Sequence, residues 1–246
     1  MQGGSGVLAQ GPAETVQAPA AASPWRDLRV RTASAVILAP LCLAALWWGG
    51  LAWNGLIVLL AVGMAYEWLG MGRASGWRTG LPAMLAIGIC YVLPATIALI
   101  WLRDADAVGR ANVLFVVLIV WSSDIGAYLL GRLLGGPKLA PAISPGKTWT
   151  GALGGLIAAG LVGVVAAMLW QAAWWPAALV AGLLGLVSQA GDLVESAAKR
   201  YFGVKDSGRL IPGHGGLLDR LDGLLAAAPM AALLVWGFGQ GRVLWQ

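Results

Sequence analysis

The sequence predicts an all-α, polytopic integral membrane protein, with about seven transmembrane helices (range six to nine) around a polar cavity that faces the cytoplasm. Three observations predict it. The 246 residues are 59% hydrophobic and 11% charged, whereas soluble domains average about 25% charged. Apolar segments run over 32–49, 52–69, 81–101, 112–131, 150–170, 176–193 and 223–241, each near the roughly 20 residues that cross a bilayer as a helix. Charge is concentrated between Ser188 and Gly223, which hold Asp192, Glu195, Lys199, Arg200, Lys205, Asp206, Arg209, Asp219, Arg220, Asp222 and the only histidine, His214.

Residues 1–24 are rich in Gly, Ala, Gln and Pro and carry one charge, Glu14. No apolar stretch follows basic residues there, so the segment reads as a disordered tail and not as a signal peptide. Residues 25–246 read as a single transmembrane domain. Trp25 to Arg31 adds three arginines and suits a short interfacial helix. Gly49-Gly50 predicts a tight turn between the first two spans, and Glu67 reads as an interfacial residue ending the second. Pro82 and Pro94 are the places where the third span would kink or split. The sixth apolar run is the shortest and predicts a helix that continues past the hydrocarbon towards Asp192. Cys42 and Cys90 lie in separate spans and read as packing residues. With one histidine and no cysteine pair, a zinc site is excluded as an expectation. No internal repeat is present, which leaves an inverted-repeat transporter without support.

Basic residues set the expected orientation. With the N-terminus inside, 13 of the 16 fall on the inner side: Arg26, Arg29, Arg31, Arg73, Arg78, Arg132, Lys138, Lys147, Lys199, Arg200, Lys205, Arg209 and Arg220. Arg103, Arg110 and Arg242 fall outside. Such a bias predicts topology. Trp47, Trp48, Trp53, Trp101, Trp170, Trp174 and Trp175 gather at the outer ends, as an interfacial aromatic belt does.

The charged stretch has helical order. Ser188, Asp192, Glu195 or Ser196, and Lys199 recur at steps of three and four and share one face, opposite Leu186, Ala190, Leu193, Val194 and Ala197. Gly203 and Pro212-Gly213-His214-Gly215-Gly216 predict a loop, and a second helix restarts near Leu217 with Asp219 and Asp222 on one side. Carboxylates at two helix ends, joined by a basic, glycine-rich loop, suit a divalent cation bound with a polyphosphate. A structural reading stays open beside it. Asp192 would cap a helix or pair with Lys199, Asp219 would answer a helix dipole, Asp124 would pair with Arg132, and the basic residues would form a solvated inner face.

The run Ser196-x-x-Lys199-Arg200, Lys205-Asp206-x-Gly208-x-x-Ile211-Pro212-Gly213-His214-Gly215-Gly216-x-x-Asp219-Arg220-x-Asp222 resembles the signature of the phosphatidate cytidylyltransferases. Two further places resemble other elements of that family. Trp121-Ser122-Ser123-Asp124-Ile125-Gly126-Ala127-Tyr128-x-x-Gly131-Arg132 is similar to an Asp-Thr-x-x-Tyr-x-x-Gly-Arg element. Ser144-Pro145-Gly146-Lys147-Thr148-Trp149-Thr150 is similar to a Ser-Pro-Lys-Lys-Thr-Trp-Glu loop. Ile125, Gly146 and Thr150 depart from the usual Thr, Lys or Asn, and Glu. The resemblance is dense over residues 112–225 and generic before them.

The resemblance implies a CTP-dependent nucleotidyltransferase of phospholipid biosynthesis that converts CTP and phosphatidic acid to CDP-diacylglycerol and pyrophosphate. A related enzyme acting on another lipid phosphate is the nearest alternative, and a membrane ion transporter a more distant one. Asp192, Asp219, Lys199 and Arg200 are the expected catalytic residues. Ser144, Lys147, Thr148, Ser196, Lys205, Arg220, His214 and Asp124 are expected at the substrates, and Asp192, Asp219 and Asp222 at metal. The expected cofactor is Mg²⁺, with Mn²⁺ as a substitute and room for a second monovalent or divalent cation. Expected partners are CTP, phosphatidic acid and membrane lipids, with no nucleic acid and with a homodimer left open. The expected location is a bacterial-type inner membrane, multi-pass, with N-terminus and active site cytoplasmic.

Overall fold

The computed structural model describes residues 24–77, 79–104, 106–238 and 243–245. The tail expected over 1–24 lies outside these residues, except that Pro24 opens the first helix. Seven helices and one hairpin follow in order: α1 (Pro24–Trp48), α2 (Gly50–Ala74), α3 (Leu81–Arg103), α4 (Asp106–Leu134), β1 (Lys138–Ala140), β2 (Ser144–Thr148), α5 (Trp149–Leu169), α6 (Trp174–Tyr201) and α7 (Leu218–Phe238). Six of them, α1 to α6, contain stretches long and apolar enough to cross a membrane. The seventh opens on Asp219, Arg220 and Asp222 before its apolar run. The all-α membrane fold is therefore as the sequence predicts.

Local chemistry explains the breaks. Gly49 and Gly50 both have positive φ, 68° and 50°, a conformation that side chains with a Cβ avoid. At that end of the bundle Arg103 of α3, itself buried, donates from Nε to the Leu46 carbonyl (2.6 Å) and from Nη2 to that of Trp47 (3.1 Å), closing the last turn of α1. Pro82 sits in the first turn of α3, where a missing N–H costs nothing, and Pro94 lies within a helix that stays continuous. The stretch after α4, read from sequence as a loop, forms the antiparallel β1–β2 hairpin, with Lys138 opposite Thr148. Thr148 then caps α5, its hydroxyl accepting from the Gly151 N–H at 3.1 Å.

One helix packs inside out relative to a soluble protein, although the bundle interior is otherwise mostly apolar. On α6 the polar face turns inward, with Ser188 and Glu195 each 1% exposed, while Leu186 and Val194 are more than half exposed on the opposite face. Lipid solvates apolar side chains, so helix association rests on close packing, and small residues line the contacts. A Cβ on Gly154 would lie 2.6 Å from Leu130 Cβ and 2.7 Å from the Gly126 carbonyl oxygen, which locks α5 against α4. Gly163 lies against the Ala177 carbonyl in the same way, joining α5 to α6. The aromatic belt is only partly as expected. Trp47, Trp48, Trp170, Trp174 and Trp175 are exposed, but Trp53 is buried and donates Nε1–H to the Leu99 carbonyl (2.9 Å). Val243 to Trp245 fold back onto α4, where the Leu244 N–H meets Asn112 Oδ1 at 2.9 Å and Trp245 packs on Phe115 and Trp170.

At the other end of the bundle lie the start of α1, the end of α2, the hairpin, the end of α6 and the start of α7. A second apolar cluster, including Met64, Trp68, Met71, Met84, Phe202, Leu217 and Leu218, seats the 202–217 loop there.

Candidate active site

Asp192 is carried to the end of the bundle by α6, one turn beyond the apolar part of that helix. Its Oδ2 lies 2.5 Å from Lys147 Nζ, delivered by β2, and its Oδ1 accepts from Ser196 Oγ at 3.3 Å. Asp192 and Lys147 remain 31% and 27% exposed because they open on a cavity of about 540 Å³. That cavity lies between α4, the hairpin, the start of α5, and α6. Asp124, Tyr128, Arg132, Thr148 and Gln189 also line it. Arg132 donates to Tyr128 Oη (3.2 Å) and not to Asp124, so the structural ion pair considered for Asp124 does not form. Gln189 Nε2 donates to Ser123 Oγ (3.1 Å) and the Ala152 carbonyl (3.2 Å), binding α6 to α4 and α5 behind the cavity.

A second charged centre lies two turns further along α6. Lys199 Nζ is 2.5 Å from Asp219 Oδ1 and 3.3 Å from Glu195 Oε1. Asp219 Oδ2 accepts from the N–H groups of Ser207 (3.0 Å) and Gly216 (3.3 Å). Asp219 stands in the first turn of α7, ahead of its apolar run. Burial pushes its carboxyl up, but the Lys199 ammonium and the Ser207 N–H outweigh this and hold it below the usual carboxylate range. Asp222, one turn on, faces Glu195 and accepts from the Gly223 N–H at 2.7 Å. Asp192 and Asp124 lie near enough to Asp222 for their charges to interact with it.

The loop between these helices is shaped by its motif. In Ile211-Pro212-Gly213-His214 the His214 N–H returns to the Ile211 carbonyl at 3.0 Å, and Gly213 has φ 76°. That is a type II turn, which favours Pro and then Gly at its two central positions. Arg220 donates from Nε (2.9 Å) and Nη2 (2.6 Å) to the His214 carbonyl, holding the turn onto α7. The His214 ring contacts Ser34 of α1 through Nδ1 at 3.0 Å.

The expected site residues thus divide. Asp124, Lys147, Thr148 and Asp192 line one cavity, with Ser196 beside Asp192. Lys199 and Asp219 form the second centre, with Asp222 next to it. Arg200 donates to the Ile143 carbonyl (3.2 Å) and joins α6 to the hairpin. Ser144 begins β2 outside the residues that line the cavity, Lys205 is exposed, and His214 and Arg220 hold the loop. Asp192 and Asp219 each hold a different lysine. Among the described residues no three His, Cys, Asp or Glu side chains gather as a metal cluster. The donor set still fits a hard cation that takes one or two carboxylates plus substrate phosphates. Asp192 opens on the cavity with Lys147 on Oδ2, which a metal there would displace, and has Asp222 as a neighbouring carboxylate. Both oxygens of Asp219 are engaged, so a metal there would displace Lys199.

Two functional candidates were missed as site residues. Gln189 lies one turn before Asp192 on the same helix, a spacing that could have found it. Glu67, expected at the interface, is instead 2% exposed and bonded to the loop. No local motif marks it.

A model of the cytidylyltransferase family matches residues 75–238. The chain is 39% identical to a phosphatidate cytidylyltransferase of Brucella abortus biovar 1 (strain 9-941), over 89% of this chain and 97% of that protein. It is 39% identical to the Staphylococcus saprophyticus phosphatidate cytidylyltransferase over 78% of this chain and 72% of that protein. Against that of Rickettsia bellii (strain RML369-C), identity is 35% over 83% and 89%.

Proposed function

The chain belongs to the cytidylyltransferase family, and from that premise we infer that it transfers the cytidylyl group of CTP to phosphatidic acid, giving CDP-diacylglycerol and pyrophosphate. The observation that carries the reading is the pairing of Lys147 with Asp192 in a polar cavity at one end of a bundle of membrane-spanning helices. The cavity can admit a water-soluble nucleotide, while the lipid chains stay among the helices and bilayer.

The chemistry needs little proton transfer. A phosphomonoester has its second pKa near 6, so the phosphatidate oxygen is largely ionised at neutral pH. It attacks the α-phosphorus of CTP, the new P–O bond forms, and the bond from the α-phosphorus to the bridging oxygen of pyrophosphate breaks. The difficulty is electrostatic, because two polyanions must meet and negative charge grows on the leaving group. Lys147 and Lys199 begin on carboxylates and exchange them for phosphate oxygens as substrates enter. Each carboxylate holds its lysine extended and oriented until then, which lowers the reorganisation needed at the transition state. Asp124 and Gln189 shape the cavity wall. Asp192, with Asp222 and, after displacement of Lys199, Asp219, would hold Mg²⁺. Bound there, Mg²⁺ would neutralise phosphate charge and align the polyphosphate. Mn²⁺ offers the same oxygen preference.

The basic-residue bias supports a cytoplasmic N-terminus and active site in a bacterial inner membrane. The test is purified protein with CTP labelled in the cytidine, Mg²⁺ and phosphatidate in mixed micelles, scored for label in lipid and for pyrophosphate. Stoichiometric CDP-lipid and pyrophosphate are expected. Label accepted by a different lipid phosphate but not by phosphatidate would overturn the substrate assignment.

A further inference from the structure

The catalytic loop is tied to the bundle by a side chain from outside the signature. We propose that Glu67 of α2 is a positioning residue for cytidylyl transfer, setting the loop that presents Asp219 and, through it, Lys199. The inference rests on the reaction assigned above.

Glu67 is 2% exposed, and its carboxylate is the meeting point of three loop donors. Oε2 accepts from Ser207 Oγ (3.2 Å) and from the Leu218 N–H (2.9 Å), and Oε1 accepts from the Leu210 N–H (3.3 Å). These donors bracket almost the whole loop. A buried charge is costly unless hydrogen-bonded, and hydrogen bonds to an ionised acceptor are roughly twice as strong as neutral ones. From Glu67 the geometry reaches the site in one step. Ser207 gives its hydroxyl to Glu67 and its N–H to Asp219 Oδ2 (3.0 Å). The Leu218 N–H, also on Glu67, belongs to the residue just before Asp219. Asp219 in turn holds Lys199 at 2.5 Å. A shift of Glu67 therefore moves one N–H that holds the Asp219 carboxylate, that of Ser207, and the backbone of the residue that precedes Asp219.

Two glycines of the loop fit this role. A Cβ on Gly208 would overlap the Glu67 carboxylate, so the loop can close on Glu67 only because that position has no side chain. A Cβ on Gly216 would overlap Ser207 Oγ and lie 2.7 Å from Asp219 Oδ2. Neither glycine is among the residues that line the cavity, and the close approach of the loop to Glu67 and Ser207 accounts for both.

The experiment compares the purified full-length chain with Glu67→Gln and Gly208→Ala. The amide keeps the size of Glu67 but removes the charge and turns an N–H₂ towards loop donors. For Glu67→Gln, kcat is expected to fall by about a hundredfold, the scale of a misplacement near 1 Å, with KM for phosphatidate changed by less than about threefold. Trypsin is expected to cut faster at Lys205 and Arg209, which are exposed on this loop, while the melting temperature stays close to that of the parent. Gly208→Ala leaves Glu67 in place and is expected to reproduce the same pattern. It decides the matter if Glu67→Gln does not fold. Parent-like kcat in the folded variant, or a loss of kcat with unchanged loop cleavage, would overturn the proposal. A parent that makes no CDP-lipid would instead sink the reaction assignment, and the cleavage comparison would still judge the tether.

Discussion

Each of the two lysines at the site rests on a carboxylate 2.5 Å away, Lys147 on Asp192 and Lys199 on Asp219. The pairs keep long, flexible ammonium chains in place where they are partly buried and an unpaired charge would be expensive. In the proposed reaction the same pairs open for phosphate to bind, which makes them ground-state partners and not the final contacts. Thr150 gives a test of which neighbouring residues belong to the chemistry. Its hydroxyl bonds to the Gly135 carbonyl and to Thr148 Oγ1 (3.0 Å) and does not line the cavity. Thr150→Ala removes a loop tie worth about 1 kcal/mol. Steady-state assays should give kcat within about threefold of the parent, and a folded but inactive variant would make Thr150 part of the site. At this scale the sequence spoke through spacing. Asp192, Ser196 and Lys199 share a face because they lie on one helix, and the motif's Pro212-Gly213 encodes its turn directly. Arg220 and His214 are expected at phosphate from charge and motif, and charge alone does not reveal that the Arg220 guanidinium also bonds the His214 carbonyl. Glu67 is 140 residues from Ser207, and no local pattern announces a contact of that separation.

Elements position the site through glycine and alanine contacts more than through large side chains. The α4–α5–α6 unit forms the cavity wall, and its helices approach until backbone meets backbone. Gly163 against the Ala177 carbonyl is one such place. Gly163→Leu overpacks it and should cost about 1–3 kcal/mol, with lost cavity geometry as the consequence. The melting temperature in detergent should fall well below that of the parent, and an unchanged melting temperature would mean that α5 and α6 part more easily than described. Hydropathy made the helices legible because lipid imposes nearly uniform length and apolarity. The β1–β2 hairpin was not legible. Its strands are three and five residues long and read as Gly- and Pro-rich loop, and their pairing depends on the helices that flank them.

Among the described residues, the paired charges of the candidate site gather at one end of the bundle. Lys147, Asp192, Lys199, Asp219 and the loop turn all lie where α1 begins and α2 and α6 end. The proposed orientation rests on the basic residues and is open to a direct check. Asp206 is exposed on the loop, so Asp206→Cys in a background lacking Cys42 and Cys90 reports the side on which the site lies. Membrane-impermeant maleimide should label it only after the cells are permeabilised, and labelling of intact cells would reverse the topology. The sign of the charge bias was visible in the sequence. The inward turn of the α6 polar face was visible as well, because amphipathicity inverts in a bilayer. What the sequence could not convey is that Asp192 and Asp219 hold separate lysines.

The most direct measurement is the turnover of phosphatidate to CDP-lipid by four proteins, the parent, Asp192→Asn, Asp219→Asn and the double variant, across an Mg²⁺ titration. Asparagine keeps the shape of each side chain and removes its charge, which frees Lys147 or Lys199 from its ion pair. Each single variant is expected to lose about a hundredfold or more in kcat, the scale of one strong electrostatic group at a transition state. The double variant is expected to lose far less than the product of the two, because groups that act as one unit are not additive. Each variant should require more Mg²⁺ for half-maximal rate while melting like the parent. Near-parent turnover with unchanged Mg²⁺ dependence in either single variant would contradict the assignment of that carboxylate to the active site.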